Sequence, residues 1–369
     1  MKGERSAGAR RFSLGKQVLF SVIIVTVFLL AAEGAIRVWV LVFRTSYERY
    51  NAETGRLELV PDLRGINARG EEFRINARGF VGPEFDEHPA DGVYRIFAVG
   101  DSCTFSDGYW RFSYPSMLER RLNAAAGRRR FEVINAGIEG YNSTFARARI
   151  EQELVRYRPH LVLLYVGWND LMKVDPGNAG AVGRYATLAA FMERSYLVRA
   201  YRKAMFVHLR PLFFQPRVGA DTNVTAYDEF VPAIYQDNLL AMVDTLRRHG
   251  ISSTLLTLPT VVSAGMTRDD LERQRVFFPY FAGTYSVGEF LSLHRAYNRV
   301  VRAVGARSDT AVIDLDEAFE RQVKAPLFWD TMHPSRLGHC LIADELYRRM
   351  APRFGLPDEV PGDDEAHCR

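Results

Sequence analysis

The chain has 369 residues, 47% of them apolar and 25% charged, a balance that suits a globular protein with a full core and excludes a disordered one. Its length admits one large α/β domain with appended segments as readily as two domains. The formal charge of +4 resides in residues 1–17, where Lys2, Arg5, Arg10, Arg11 and Lys16 stand against Glu4; the neutral remainder excludes an electrostatic nucleic-acid surface.

After the basic stretch comes Val18 to Ala32, apolar apart from Ser21 and Thr26, and apolar character resumes from Val38 to Phe43 beyond Glu33, Gly34 and Arg37. A hydrocarbon core needs about 20 apolar residues in a helix, so residues 18–43 are expected to form a transmembrane anchor, with Glu33 and Arg37 one turn apart and able to pair. Basic residues ahead of it predict a cytoplasmic N-terminus and a body outside the membrane. A cleaved signal peptide is the rival, although no small-x-small site closes the run; a buried soluble helix is the third reading.

The three cysteines, Cys103, Cys340 and Cys368, have no metal-ligand spacing and an odd count, so they indicate neither a disulfide framework nor a zinc site. Residues 44–92 are polar and punctuated by Gly and Pro, which reads as a linker merging into a domain edge. Within it Asn67-Ala68-Arg69-Gly70 is echoed by Asn76-Ala77-Arg78-Gly79, two similar turns in which glycine supplies a positive φ.

From Val93 onward strands and helices alternate. Strands are expected at Tyr94 to Val99, Phe131 to Ile134, Leu161 to Val166, Ile251 to Leu258 and Ala311 to Ile313. Helices are expected from Pro115 to Ala126, from about Asn142 to Tyr157, and at Tyr235 to His249, Gly288 to Val304 and Ser335 to Met350. This alternation predicts an α/β fold, a parallel five-stranded sheet in a three-layer α/β/α sandwich, with ligands outside the carboxyl ends of the strands. An insertion of about 171–233 interrupts it and contains a basic, aromatic stretch, Tyr196 to Phe214, readable as a packed helix, a lid or a membrane-surface contact. The tail, 356–369, is rich in Asp, Glu and Pro and reads as disordered.

Ser102 follows the first strand in Gly100-Asp101-Ser102, and a serine nucleophile needs an adjacent base. Asp330-Thr331-Met332-His333 supplies a histidine with an aspartate three residues ahead, able to fix the imidazole tautomer. His339 and His160 lack such company and read as packing or surface residues. Asn135-Ala136-Gly137 and Gly167-Trp168-Asn169-Asp170, each after a strand, are candidate oxyanion loops. Cys103 is a rival nucleophile, and Asp101, Asp107 and Asp170 a rival carboxylate metal site. Neither a phosphate cradle nor a metalloprotease helix motif is present.

Taken together in this order, these blocks resemble the SGNH subgroup of the GDSL hydrolases, with Ser102, Gly137, Asn169 and His333 matching its four letters and Asp330 the triad acid. The resemblance covers about Tyr94 to Pro352, within a hydrolase domain of 93–355, and departs from the family where Cys103 replaces leucine and in the insertion. It implies a flavodoxin-like sheet, Ser102 as nucleophile, His333 as base and Asp330 as its orienter. The implied oxyanion hole combines the N–H groups of Ser102 and Gly137 with the Asn169 amide, and no cofactor or metal is implied. The expected activity is hydrolysis of an ester, such as an O-acetyl group on an envelope carbohydrate. The alternatives are acyl transfer to a sugar by the same residues, or a non-catalytic carbohydrate-binding or scaffold protein. The sequence carries no signal for an oligomeric state.

Overall fold

The computed structural model describes residues 13–43, 47–51, 53–66, 70–106, 110–174, 194–205, 224–278 and 286–361. The basic N-terminus to residue 12, most of the insertion and the end of the tail fall outside the described residues.

Helix α1 spans Leu14–Phe43 and is long and apolar enough to cross a membrane over Leu14–Val40. Its apolar side chains, Val18 to Leu30 among them, face away from the rest of the protein. The segment that reads as a linker merging into a domain edge carries two short hairpins. Strands β1 (Glu48–Asn51) and β2 (Arg56–Leu59) pair antiparallel, as do β3 (Arg64–Ile66) and β4 (Glu72–Arg74). Leu59, Leu63, Phe73, Ile75 and Val81 form a small apolar cluster there with Phe105, Ile138 and Tyr141 of the main domain. The expected turn at Asn76 is present: its Oδ1 accepts the N–H groups of Arg78 and Phe80, both at 3.0 Å, and Gly79 has a φ of +77°. Phe80 and Phe85 then enter the main core against Phe97 and Tyr157.

The main domain continues with β5 (Tyr94–Gly100), α2 (Ser102–Phe105), α3 (Tyr114–Ala126), β6 (Phe131–Gly137), α4 (Ser143–Gln152) and β7 (Leu161–Tyr165). After α5 (Trp168–Lys173) and the insertion helix α6 (Tyr196–Ala204) come α7 (Ala233–Arg248), β8 (Ser252–Leu256), α8 (Arg268–Arg273) and α9 (Val287–Ser308). The chain closes with β9 (Ala311–Ile313), α10 (Leu315–Glu320) and α11 (Arg336–Met350). The five strands β5 to β9 form one parallel sheet in the order β6-β5-β7-β8-β9, the flavodoxin-like arrangement. Helices α3 and α11 pack together on one face and α4, α7 and α9 on the other, completing three layers. Strands β5, β6 and β7 are covered on both faces, which is why they are apolar almost throughout.

Two departures from a purely apolar core are informative. Arg95 in β5 is buried, yet its guanidinium reaches Glu132 Oε2 at 2.6 Å and the carbonyls of Asp86, Glu87 and Tyr157. A buried charge persists only when paired and hydrogen-bonded in this way. Cys340 is disulfide-bonded, with its partner outside the described residues, a bond that three cysteines of irregular spacing did not announce. Cys103 is free and buried.

Candidate active site

Strand β5 ends at Gly100 and the chain turns at once into α2, whose first residue is Ser102. Only glycine fits that corner, since a Cβ at position 100 would lie 2.0 Å from Thr104 Oγ1 and 2.7 Å from the Tyr165 carbonyl. Asp101 caps α2, its Oδ1 accepting the Cys103 N–H at 2.9 Å. Its carboxyl is wholly buried, and burial raises its pKa to about 6 against the opposing pull of the Cys103 N–H and His333. Asp101 is thus the turn former, and Ser102 alone of the pair meets the imidazole.

That imidazole comes from the segment between β9 and α11. Phe328 bridges Pro334, and the Trp329 N–H donates to the His333 carbonyl at 2.8 Å, which closes a tight turn around Asp330 to His333. His333 Nε2 lies 2.8 Å from Ser102 Oγ, while Nδ1 lies 2.9 and 2.8 Å from the two oxygens of Asp330. Burial of the Asp330 carboxyl favours its neutral form, but the His333 charge and hydrogen bonds from the His333 ring and from the N–H groups of His333 and Met332 outweigh this. The acid is held below the usual carboxylate range. The turn itself is fastened to neighbouring loops by Thr331. Its carbonyl accepts Val261 N–H and Thr260 Oγ1–H, and its hydroxyl bridges the N–H and carbonyl of Phe277. Sequence reading did not single out Thr331, because nothing local marks a threonine whose partners lie 54 and 71 positions away.

Asn169 sits in the first turn of α5, after β7, and donates one amide hydrogen to the Tyr141 carbonyl at 3.0 Å. A primary amide has a second hydrogen to offer. Asp170 clamps the neighbouring loop by accepting the Ser143 N–H at 2.8 Å and the Ser143 hydroxyl at 2.6 Å, with Asn238 on the same hydroxyl. Burial raises its pKa to about 6 despite those bonds. Asp107 lies outside the described residues, and no cluster able to hold a metal ion occurs among the described ones.

Gly137 has a different task from the one expected of it. Its N–H donates to Asn135 Oδ1 at 2.9 Å, and a Cβ there would lie 2.3 Å from the Phe105 nitrogen. The residue therefore lets α2 lie against β6, and its N–H is already engaged within the protein. The loop after β6 offers Gly140 instead, with a φ of +76°, open space where a Cβ would stand, and no hydrogen bond from its N–H among the described residues. Because Asn169 holds Tyr141, this glycine is brought to the side of the site where the amide is. The signal available in sequence was Gly140 itself, three residues later in the same loop.

The remaining candidates fall away on burial. Cys103 is buried with its thiol directed to the Met332 carbonyl at 3.4 Å, and burial together with the charges of Asp101 and Asp330 pushes its pKa well up. A thiol held protonated is a poor nucleophile. His339 is buried against Tyr114 and paired with Ser106 Oγ at 2.8 Å; burial, then the His333 charge, lowers its pKa to about 3. His160 accepts the Arg95 N–H at the opposite end of the sheet. Both are packing residues.

Beside this geometry stands a comparison of sequence: residues 98–341 match the model of the GDSL-like Lipase/Acylhydrolase family. The chain belongs to that family. It is accordingly a hydrolase acting on ester bonds. Over 228 residues this GDSL hydrolase is 21% identical to the uncharacterized lipoprotein YqeF of Bacillus subtilis (strain 168), covering 60% of this chain and 71% of that protein. Among solved structures it resembles the lipase/acylhydrolase of Enterococcus faecalis, with 19% identity, 72% of this chain and 99% of that one covered, and a TM-score of 0.45. A catalytic mutant of Axe2, an acetylxylan esterase from Geobacillus stearothermophilus, is likewise similar, with 19% identity, 69% and 93% covered and a TM-score of 0.43.

Proposed function

We propose that this GDSL hydrolase is a serine esterase working through an acyl-enzyme on the outer side of the membrane crossed by α1. The observation that carries the reading is the unbroken chain of contacts from Ser102 Oγ through His333 to Asp330, all at 2.8–2.9 Å. His333 Nε2 takes the proton as Ser102 Oγ attacks the ester carbonyl. The tetrahedral oxyanion is met by the Ser102 N–H at the start of α2, the second amide hydrogen of Asn169 and the N–H of Gly140. Each well-placed donor of this kind supplies about 3–4 kcal/mol. His333 returns its proton to the leaving alcohol as the carbonyl re-forms, and Ser102 is left acylated. Water then attacks with His333 again as base, the acid departs, and the hydroxyl is restored. Asp330, held ionised, keeps Nδ1 protonated and Nε2 free to accept.

The outward placement draws support from α1 and from the disulfide at Cys340, because such bonds persist in oxidising compartments and are rare in the cytosol. An O-acetyl group on an envelope carbohydrate is the substrate class this placement favours. The test is turnover of p-nitrophenyl acetate by the full chain in detergent. The parent hydrolyses it and Ser102→Ala loses the activity by several orders of magnitude; equal rates in the two proteins would remove Ser102 from the reaction.

A further inference from the structure

Glu33 is the acidic residue of α1 and lies about 28 Å along it from Leu14, close to the thickness of a hydrocarbon core. A carboxylate at that depth is tolerated when it is paired, and here it has four donors. They are Arg37 Nε at 2.7 Å, Ser195 Oγ at 2.8 Å, and the N–H groups of Tyr196 and Leu197 at 3.0 and 2.7 Å. The last two are the first N–H groups of α6, which have no partner within their own helix. The third, Val198 N–H, goes to Ser195 Oγ at 3.1 Å. Helix α6 is thus capped by the anchor helix. Arg37 also donates to the Arg194 carbonyl at 3.1 Å and lies over the Tyr196 ring, and Arg194 reaches the Tyr50 hydroxyl. One polar junction ties α1, the insertion and the first hairpin at the level where the long apolar run Val18 to Ala32 ends.

From that junction α6 runs with Arg199, Arg202 and Lys203 and no acidic residue in its nine positions. The Arg199 guanidinium lies 4.1 Å from the Tyr196 ring centroid, with its Nε and Nη2 buried there. Tyr201 is exposed, as are Trp39 and Val38 on α1. Aromatic and basic side chains gathered where a spanning helix leaves the hydrocarbon match the chemistry of the headgroup layer. We propose that α6 lies in the headgroup layer of the bilayer that α1 crosses, fixed at that height by Glu33, with the exposed Tyr201 turned to the phospholipid. The proposal rests on the reading of α1 as an anchor. It makes the junction a seat for the catalytic domain, since the insertion that carries α6 departs from α5, the helix of Asn169.

The experiment uses the full chain, with Tyr201→Cys carrying an environment-sensitive fluorophore, in phosphatidylcholine–phosphatidylglycerol vesicles with or without lipids bearing a nitroxide near the headgroup. The label is expected to emit as in an interface and to lose most of its emission to the nitroxide. Glu33→Ala should remain in carbonate-washed vesicles and keep esterase activity while losing the quenching, whereas Glu33→Gln, which keeps an acceptor for the helix N–H groups, should retain much of it. Release of the parent by carbonate would overturn the anchor and the seat together. A carbonate-resistant parent with an unquenched, water-like label would overturn the seat alone, and quenching in Glu33→Ala equal to the parent would remove Glu33 from it.

Discussion

Ser102, His333 and Asp330 meet because each ends or follows a strand of one parallel sheet, and the distances among them leave no gap for a water. Asp330→Asn keeps the shape of the turn but reverses the preferred tautomer of His333, so kcat is expected to fall about ten-thousand-fold with a small change in KM. A loss below tenfold in p-nitrophenyl ester kinetics would contradict the assignment. Asp101 carries a different prediction. Its pKa is raised from 3.8 to about 6 by burial, so the folded chain retains a proton that the unfolded chain releases between those values. The stability this contributes is present in full below about pH 4 and is lost as the pH rises through about 6, to the order of 3 kcal/mol. Asp101→Asn should therefore flatten the fall in unfolding free energy between about pH 4 and pH 6.5, and parallel curves for the two proteins would refute it. That Ser102, His333 and Asp330 come together was legible in the sequence because each carries its own local pattern. Gly137 was misassigned because spacing does not tell which N–H of a glycine-bearing loop is engaged, and that depends on the side chain of Asn135 two residues earlier.

At the level of elements the strands were legible to within a few residues, β9 to the residue; in β5, β6 and β7 burial on both faces leaves nearly continuous apolar runs between turn residues. The hairpins of residues 47–74 were not. Their strands are three or four residues long and mostly half-exposed, so no alternation accumulates, and what orders them is the cluster under Leu59 and Phe73. Arg95 was hidden for a related reason: an arginine in an apolar strand reads as an edge position until its partners from Asp86, Glu87, Glu132 and Tyr157 are seen together. Arg95→Leu would leave Glu132 and three carbonyls without their donor, and a loss of about 3–5 kcal/mol in urea unfolding is expected. A loss under about 0.5 kcal/mol, as at a surface site, would show the ion pair to be dispensable.

On the scale of the whole molecule, the parallel sheet, the folded segment before it and α1 meet through polar junctions as well as apolar contact, and the sequence shows the charges of these junctions without showing their partners. Glu33 and Arg37 were expected to pair with each other, and they do, at 2.7 Å; that Glu33 also caps a helix more than 160 positions away follows only from the fold. The central claim is that ester cleavage passes through an acyl group on Ser102. Peptide mapping of the full chain, quenched in acid during turnover of p-nitrophenyl acetate, tests it directly. An acetyl group on Ser102, absent from Ser102→Ala, is the expected result, whereas an acetyl group on Cys103, or undiminished turnover by Ser102→Ala, would contradict it.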